Sequence, residues 1–166
     1  ADNLGLRNNL VFNDFQSHGC IELVLCMISY AFQIYCDFAG YSFMAMGIGK
    51  ILGFELINNF NRPYFSQSVT EFWHRWHISL SLWLKDYVYI TLGGNRCSKI
   101  RNYLNIMLTF LVSGIWHGAN WTFIIWGGIH GVFQVFEKAL GYNKRISVGM
   151  VKSLRILITF VLVTFA

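Results

Sequence analysis

The chain has 166 residues, of which 55% are hydrophobic, 17% aromatic and only 13% charged. Soluble domains carry nearer a quarter charged residues, so the composition excludes an ordinary soluble domain and predicts an integral membrane protein, whose fold the segments and motifs that follow lead us to expect as all-α and multi-pass. The net charge of +5 falls in short loops beside apolar runs, the distribution of cytoplasmic loops, and no nucleic-acid partner is expected.

Residues 1–19 read as a polar lead-in of little periodicity, with His18 an exposed or interfacial histidine. Residues 20–54 form an apolar membrane-helix region, too long for one upright span, in which Gly40, Gly47, Gly49 and Gly53 allow a kink or a close helix contact. Asp37 is the one acid between Glu22 and Glu55. Pairing with a basic residue to hold helices together is at least as good a reading of it as a direct part in catalysis. Cys20, Cys26, Cys36 and Cys97 form no C-x-x-C pair, and buried reduced thiols are expected in place of a disulfide or zinc framework.

Residues 55–68 are a polar connector holding the single proline, Pro63, which predicts an extended Arg62 before it. Residues 68–92 then read as an interfacial or re-entrant amphipathic helix. Ser68 or Thr70 can cap it, Glu71 can pair with Arg75 at i,i+4, and Trp73, Trp76, Trp83, Tyr87 and Tyr89 give it the aromatic density of a membrane interface. His74 and His77 stand at i,i+3 and could face one way, but no carboxylate or cysteine at matching spacing completes a metal site, and none is expected. Gly93 and Gly94 open a turn and a basic loop that lacks a phosphate-loop pattern.

From Asn102 to Phe136 there is no Asp, Glu, Lys or Arg. One unbroken helix over that stretch would run roughly 52 Å against about 30 Å of hydrocarbon. Residues 102–140 are therefore expected as a broken helix or hairpin with limbs of roughly 21–27 Å. Gly114 and Gly118 are the natural breaks. His117, in Ser113-Gly114-Ile115-Trp116-His117-Gly118-Ala119-Asn120-Trp121, would line a cavity there. A polar group at membrane depth is a functional-site hypothesis by default, so His117 is where chemistry is expected. His130 reads instead as a packed, hydrogen-bonded structural histidine. A second basic loop with Lys144, Arg145, Lys152 and Arg155 follows, and two flanking basic loops place both ends of the hairpin on the cytoplasmic side. The truncated apolar run at 154–166 falls short of a span and predicts that the chain is a piece of a larger protein.

Four stretches converge on a known family: Gln33-Ile34-Tyr35-Cys36-Asp37-Phe38-Ala39-Gly40-Tyr41-Ser42, Asn59-Phe60-Asn61-Arg62-Pro63-Tyr64, Phe72-Trp73-His74-Arg75-Trp76-His77-Ile78-Ser79-Leu80-Ser81 with Trp83-Leu84-Lys85-Asp86-Tyr87, and Gly114-Ile115-Trp116-His117-Gly118-Ala119-Asn120-Trp121. In these the chain resembles the membrane-bound O-acyltransferases, and within them the bacterial polysaccharide O-acetyltransferases typified by alginate acetylation. The resemblance implies a multi-helix enzyme of the bacterial cytoplasmic (inner) membrane, with His77 and His117 lining a tunnel, His117 as catalytic base and His77 as its partner. Asp37, Arg62 and Asp86 lie in the same stretches as supporting residues. Phe43 departs from the pattern, since relatives often carry an acid after the Tyr-Ser pair.

The chemistry of the residues is compatible with this. Acyl transfer to a hydroxyl needs a base for the hydroxyl proton, and neutral histidine serves near neutrality. Asn120, Trp116 and Trp121 are candidate donors to the developing oxyanion. No G-x-S-x-G nucleophile elbow occurs, which favours direct transfer over a covalent serine intermediate. No bound cofactor is expected; an acyl-CoA or acyl carrier would be a co-substrate on the cytoplasmic side. The acceptor would be a polysaccharide or a partner protein of an export complex. The competing reading is a transporter or channel module in which Asp37, His77 and His117 relay protons or line a pore.

Overall fold

The structure, a computed structural model, describes residues 2–142 and 149–166, and all regular structure among them is helical. Lys144 and Arg145 of the second basic loop lie outside the described residues. The described residues fall into two compact units, one running to Asn58 together with Phe165, the other drawn from Asn59–Thr164 together with Ala166.

The first unit is a pair of helices, α1 (Asp2–Asn13) and α2 (Cys20–Ile51). An unpatterned lead-in was expected where α1 lies; a polar pin explains the difference, because Asn8 is buried and donates to Gln33 Oε1 at 2.8 Å. Asn8 Oδ1 also takes the Cys26 thiol at 3.5 Å, and Phe12 meets Tyr30 edge-on. Ser17 ties the intervening turn to Asp14, and His18 meets Glu22 at 3.0 Å. α2 runs unbroken through Gly40, Gly47 and Gly49, and among the described residues it is the one helix long and apolar enough, by length and composition, to cross a membrane. Of its three cysteines only Cys26 is buried; Cys20 and Cys36 are exposed, contrary to the expectation of buried thiols. Asp37 lies exposed on this helix.

In the second unit a 3-10 turn, Pro63–Phe65, leads to α3 (Val69–Trp73) and α4 (Ile78–Leu84), then a π-helical turn over Lys85–Tyr89. Residues 68–92 are thus not one interfacial helix. The helix ends at His74, and its first part is core: Val69, Phe72 and Trp73 form the buried cluster, packed by Tyr64, Trp76, Phe110, Trp126 and Phe133. Trp83 and Tyr87, by contrast, are exposed and stacked on each other. Ser68 is the cap, accepting from the Glu71 N–H at 3.0 Å, and Glu71 pairs with Arg75 at 2.7 Å.

α5 (Lys99–His117) and α6 (Trp121–Ala139) are each roughly 28 Å long and pack as an antiparallel hairpin. Gly114 faces Phe123, Gly127 faces Phe110 and Gly131 faces Met107, a register in which one number falls as the other rises. At Gly114 and Gly127 the facing atom is a backbone carbonyl that an added Cβ would overlap, so the absent side chains set how closely the two backbones approach. Gly114 was expected to break the helix; it lies inside α5, and the chain turns at Gly118, where φ is +156°. The far end of the hairpin is closed by amides. Asn102 donates to the Gly94 carbonyl at 2.7 Å and to the Tyr89 hydroxyl at 2.6 Å, Asn105 to the Leu92 carbonyl at 3.1 Å, and Lys138 to Asn95 Oδ1 at 2.7 Å. α7 (Met150–Thr164) adds Leu162 and Val163 to the core around α3.

Candidate active site

His117 is the last residue of α5, and Gly118 ends the helix behind it with its N–H on the Ile115 carbonyl at 3.1 Å. Its ring centroid lies 5.1 Å from Trp116, 5.1 Å from Trp126 and 6.0 Å from Phe123, an aromatic surround drawn from both limbs of the hairpin. The turn is pinned by Asn120, which caps α6 by accepting from the Thr122 N–H at 3.2 Å. That bond uses the amide oxygen and leaves the NH2 of this exposed residue uncommitted to the cap.

His77 arrives from the other side of the same unit, on the connection between α3 and α4 and outside the candidate membrane span. It stands in the left-handed region at φ 44°, ψ 54°, where a side chain other than glycine costs about 1–3 kcal/mol. Such a conformation persists only where neighbours over-determine it. Here the connector does so: Asn61 N–H donates to the Arg75 carbonyl at 2.9 Å, and Ile78 N–H donates to the Asn59 carbonyl at 3.1 Å. Asn59 Oδ1 accepts from both the N–H and the hydroxyl of Ser79, at 3.0 and 2.6 Å. Because the helix breaks between them, His74 and His77 do not share a helical face.

The two histidines converge on one ring. Trp116 lies 6.0 Å from His77 and 5.1 Å from His117. Burial lowers the His77 imidazole to about 4, and the neighbouring His117 adds to the shift. His77 is therefore neutral at physiological pH.

Arg62 is left-handed at φ 48°, not extended. The following proline disfavours only the right-handed helical region for it, and its carbonyl is held by Arg75 Nη1 at 3.3 Å. Asp86 is exposed on the π-helical turn, Trp121 opens α6 and is 75% exposed, and Asp37 belongs to the first unit. A cavity of about 410 Å³ lies in the second unit, lined by Trp73, Ile78, Thr109 and Ser113 with Lys85 and Lys138. Neither His77 nor His117 lines it, although Ile78 follows the first and Ser113 precedes the second by one turn. Among the described residues no three His, Cys, Asp or Glu side chains are grouped to hold a metal ion.

Three residues support the site, of which Glu137 and Asn59 went unread in the sequence. Glu137, buried on α6, accepts from the backbone N–H groups of Val69 and Thr70 and from the Thr70 hydroxyl, so it clasps the start of α3. Two turns earlier on α6, His130 is 1% exposed and accepts from Trp73 Nε1 at 3.4 Å, the packed role expected of it, and this pins the end of α3. Asn59 is the third. The available signals were a lone acid closing a charge-free helix and an asparagine-rich connector beside the only proline.

Comparison with known proteins agrees with the four stretches read above. Residues 11–166 match the model of the membrane-bound O-acyltransferase family. The chain is 55% identical over 136 residues to the probable alginate O-acetylase AlgI of Pseudomonas aeruginosa, covering 82% of this chain and 26% of that protein. It is 43% identical over 167 residues to the peptidoglycan O-acetyltransferase of Helicobacter pylori, covering 100% of this chain and 32% of that one. It is 36% identical over 133 residues to the teichoic acid D-alanyltransferase of Bacillus subtilis, covering 74% of this chain and 33% of the relative. The chain thus spans about a quarter to a third of the length of these curated relatives. With all but its first ten residues inside the family model and the paired histidines of that resemblance gathered around Trp116, the chain belongs to the membrane-bound O-acyltransferase family.

Proposed function

We propose that the intact protein is an O-acyltransferase of the bacterial cytoplasmic membrane that moves a short acyl group, acetyl, onto hydroxyls of an exported polysaccharide. The observation that carries this reading is the convergence of His77 and His117 on Trp116 at the turn of a glycine-packed hairpin. His117 acts as the general base. As the acceptor oxygen attacks the acyl carbonyl, the imidazole takes the hydroxyl proton, and a tetrahedral oxyanion forms. The intermediate collapses, the bond to the donor sulfur breaks, and the imidazolium returns its proton to the departing thiolate. A positioned base contributes about 10²- to 10⁴-fold, and the rest falls to positioning and to oxyanion donors, for which Trp116, Asn120 and Trp121 at the same turn are the candidates.

The donor, an acyl-CoA or a loaded acyl carrier, reaches the site from the cytoplasmic side, and the bulky hydrophilic acceptor or its delivering partner protein from the opposite side. In this reading the protein is multi-pass, with both ends of the α5–α6 hairpin on the donor side. The names of the alginate and peptidoglycan relatives favour acetyl and a polysaccharide acceptor, and none of the three relatives is named as a transporter or channel.

The test is to feed isotopically labelled acetate to cells carrying the full-length protein or its His117→Ala variant and to follow base-labile label. Loss of polysaccharide label from a variant that inserts normally is expected. Label in polysaccharide from His117→Ala at the wild-type level overturns the base assignment; His117-dependent label confined to lipid or protein overturns the acceptor.

A further inference from the structure

His77 is one of two described residues other than glycine with a positive φ, and the other, Arg62, lies in the connector bonded to the same turn. The bonds around His77 are bracketed in sequence. Asn61 holds the carbonyl of Arg75, two residues before the histidine; Asn59 holds the N–H of Ile78, one after it, and both donors of Ser79, two after it. An isolated five-residue segment would relax out of a left-handed centre. Here each side of that centre is tied to a strand of connector whose own path is set by Pro63 and its 3-10 turn.

We infer that Asn59 is a positioning residue for the transfer reaction: its side-chain oxygen, by accepting both donors of Ser79, holds the His77 turn in the left-handed geometry that aims the imidazole at Trp116 and His117. The inference rests on the acyltransferase reading above. It assigns Asn59 no contact with substrate. What the side chain contributes is two acceptor lone pairs at one oxygen, a property that aspartate retains and alanine lacks. A shift of about 1 Å in a catalytic group can lower turnover about 10²-fold, and the fall should appear in kcat with the donor KM unchanged, because the donor site itself is left intact.

The experiment is a double-mutant cycle in the full-length protein. Asn59→Ala should lower kcat about 10²-fold, Asn59→Asp should restore it to within about threefold, and in a His77→Gln background Asn59→Ala should cost less than about twofold more. In histidine-labelled protein the backbone signal of His77 should move with Asn59→Ala and return with Asn59→Asp, while the His130 signal stays in place. If Asn59→Ala fails to accumulate, Ser79→Ala, which removes one of the two bonds, takes its place in the cycle. Losses that multiply between the two sites, an aspartate as poor as alanine, or an unmoved His77 signal overturns the inference. The acyltransferase reading fails separately, through absence of product from the wild type, and the assignment of His117 as base through persistence of product in His117→Ala.

Discussion

A methyl group added at Gly114 tests whether the backbone approach of α5 and α6 sets the site. The built Cβ overlaps the Phe123 carbonyl oxygen and stands 3.1 Å from its carbon and 3.4 Å from the Ile124 Cα, all backbone atoms with no rotamer to yield. Ordinary contact is regained only if the helices part by roughly 1 Å. By propensity alone Gly→Ala inside a helix gains about 1 kcal/mol. Overpacking costs about 1–3 kcal/mol, more where nothing can move, so Gly114→Ala is expected to be a net destabilisation. The same displacement carries His117, one turn later, away from Trp126 and Phe123 on the opposite limb, and a shift of that size costs about 10²-fold in transfer. Gly128→Ala is the control: the nearest atom to its added Cβ is Leu111 Cδ2 at 3.9 Å, an ordinary contact, so stability and activity should stay at or slightly above wild type. Thermal unfolding of the full-length protein in detergent and labelled-acetate transfer measure the two effects. A Gly114→Ala protein that melts at or above the wild type and transfers normally would refute the reasoning.

The remaining predictions concern the turn and its surroundings. Because burial lowers the His77 imidazole to about 4, while an unfolded histidine titrates at about 6.5, the unfolded state takes up its proton first. That contribution to stability is complete above about pH 6.5 and is lost as pH falls towards 4; His77→Gln should flatten this acid limb of the melting profile. Asn120→Asp keeps the oxygen that caps α6 and should keep stability near wild type while lowering transfer, since it removes the NH2 donor, whereas Asn120→Ala should also lower stability by about 0.5–2 kcal/mol in a melting assay. Single cysteines at Lys99 and Ser153, in a background lacking Cys20, Cys26, Cys36 and Cys97, should both resist a membrane-impermeant thiol reagent in intact cells and both react after permeabilisation. Labelling of one without the other would refute a common cytoplasmic side.

What the sequence determined by itself was carried by near neighbours. The charge-poor composition required helices of membrane character, and the length of the charge-free stretch required a turn within it. Ser68, Glu71 and Arg75 stand at the spacings of a cap and an i,i+4 pair, and the structure uses them so. Such features need only residues a turn apart, so the one-dimensional pattern contains both partners. The tertiary structure decided what depends on partners remote in sequence. Glu137 reaches a backbone N–H 68 residues away, Trp73 meets His130 across 57, and Asn59 meets Ser79 across 20. Gly114 looked like a hinge because glycine's backbone freedom is visible locally. Its use as a gap for the Phe123 carbonyl depends on a helix not yet placed. The left-handed turns at Arg62 and His77 were invisible for the same reason: local preference opposes them, and only the bonds from the connector make them the lowest state.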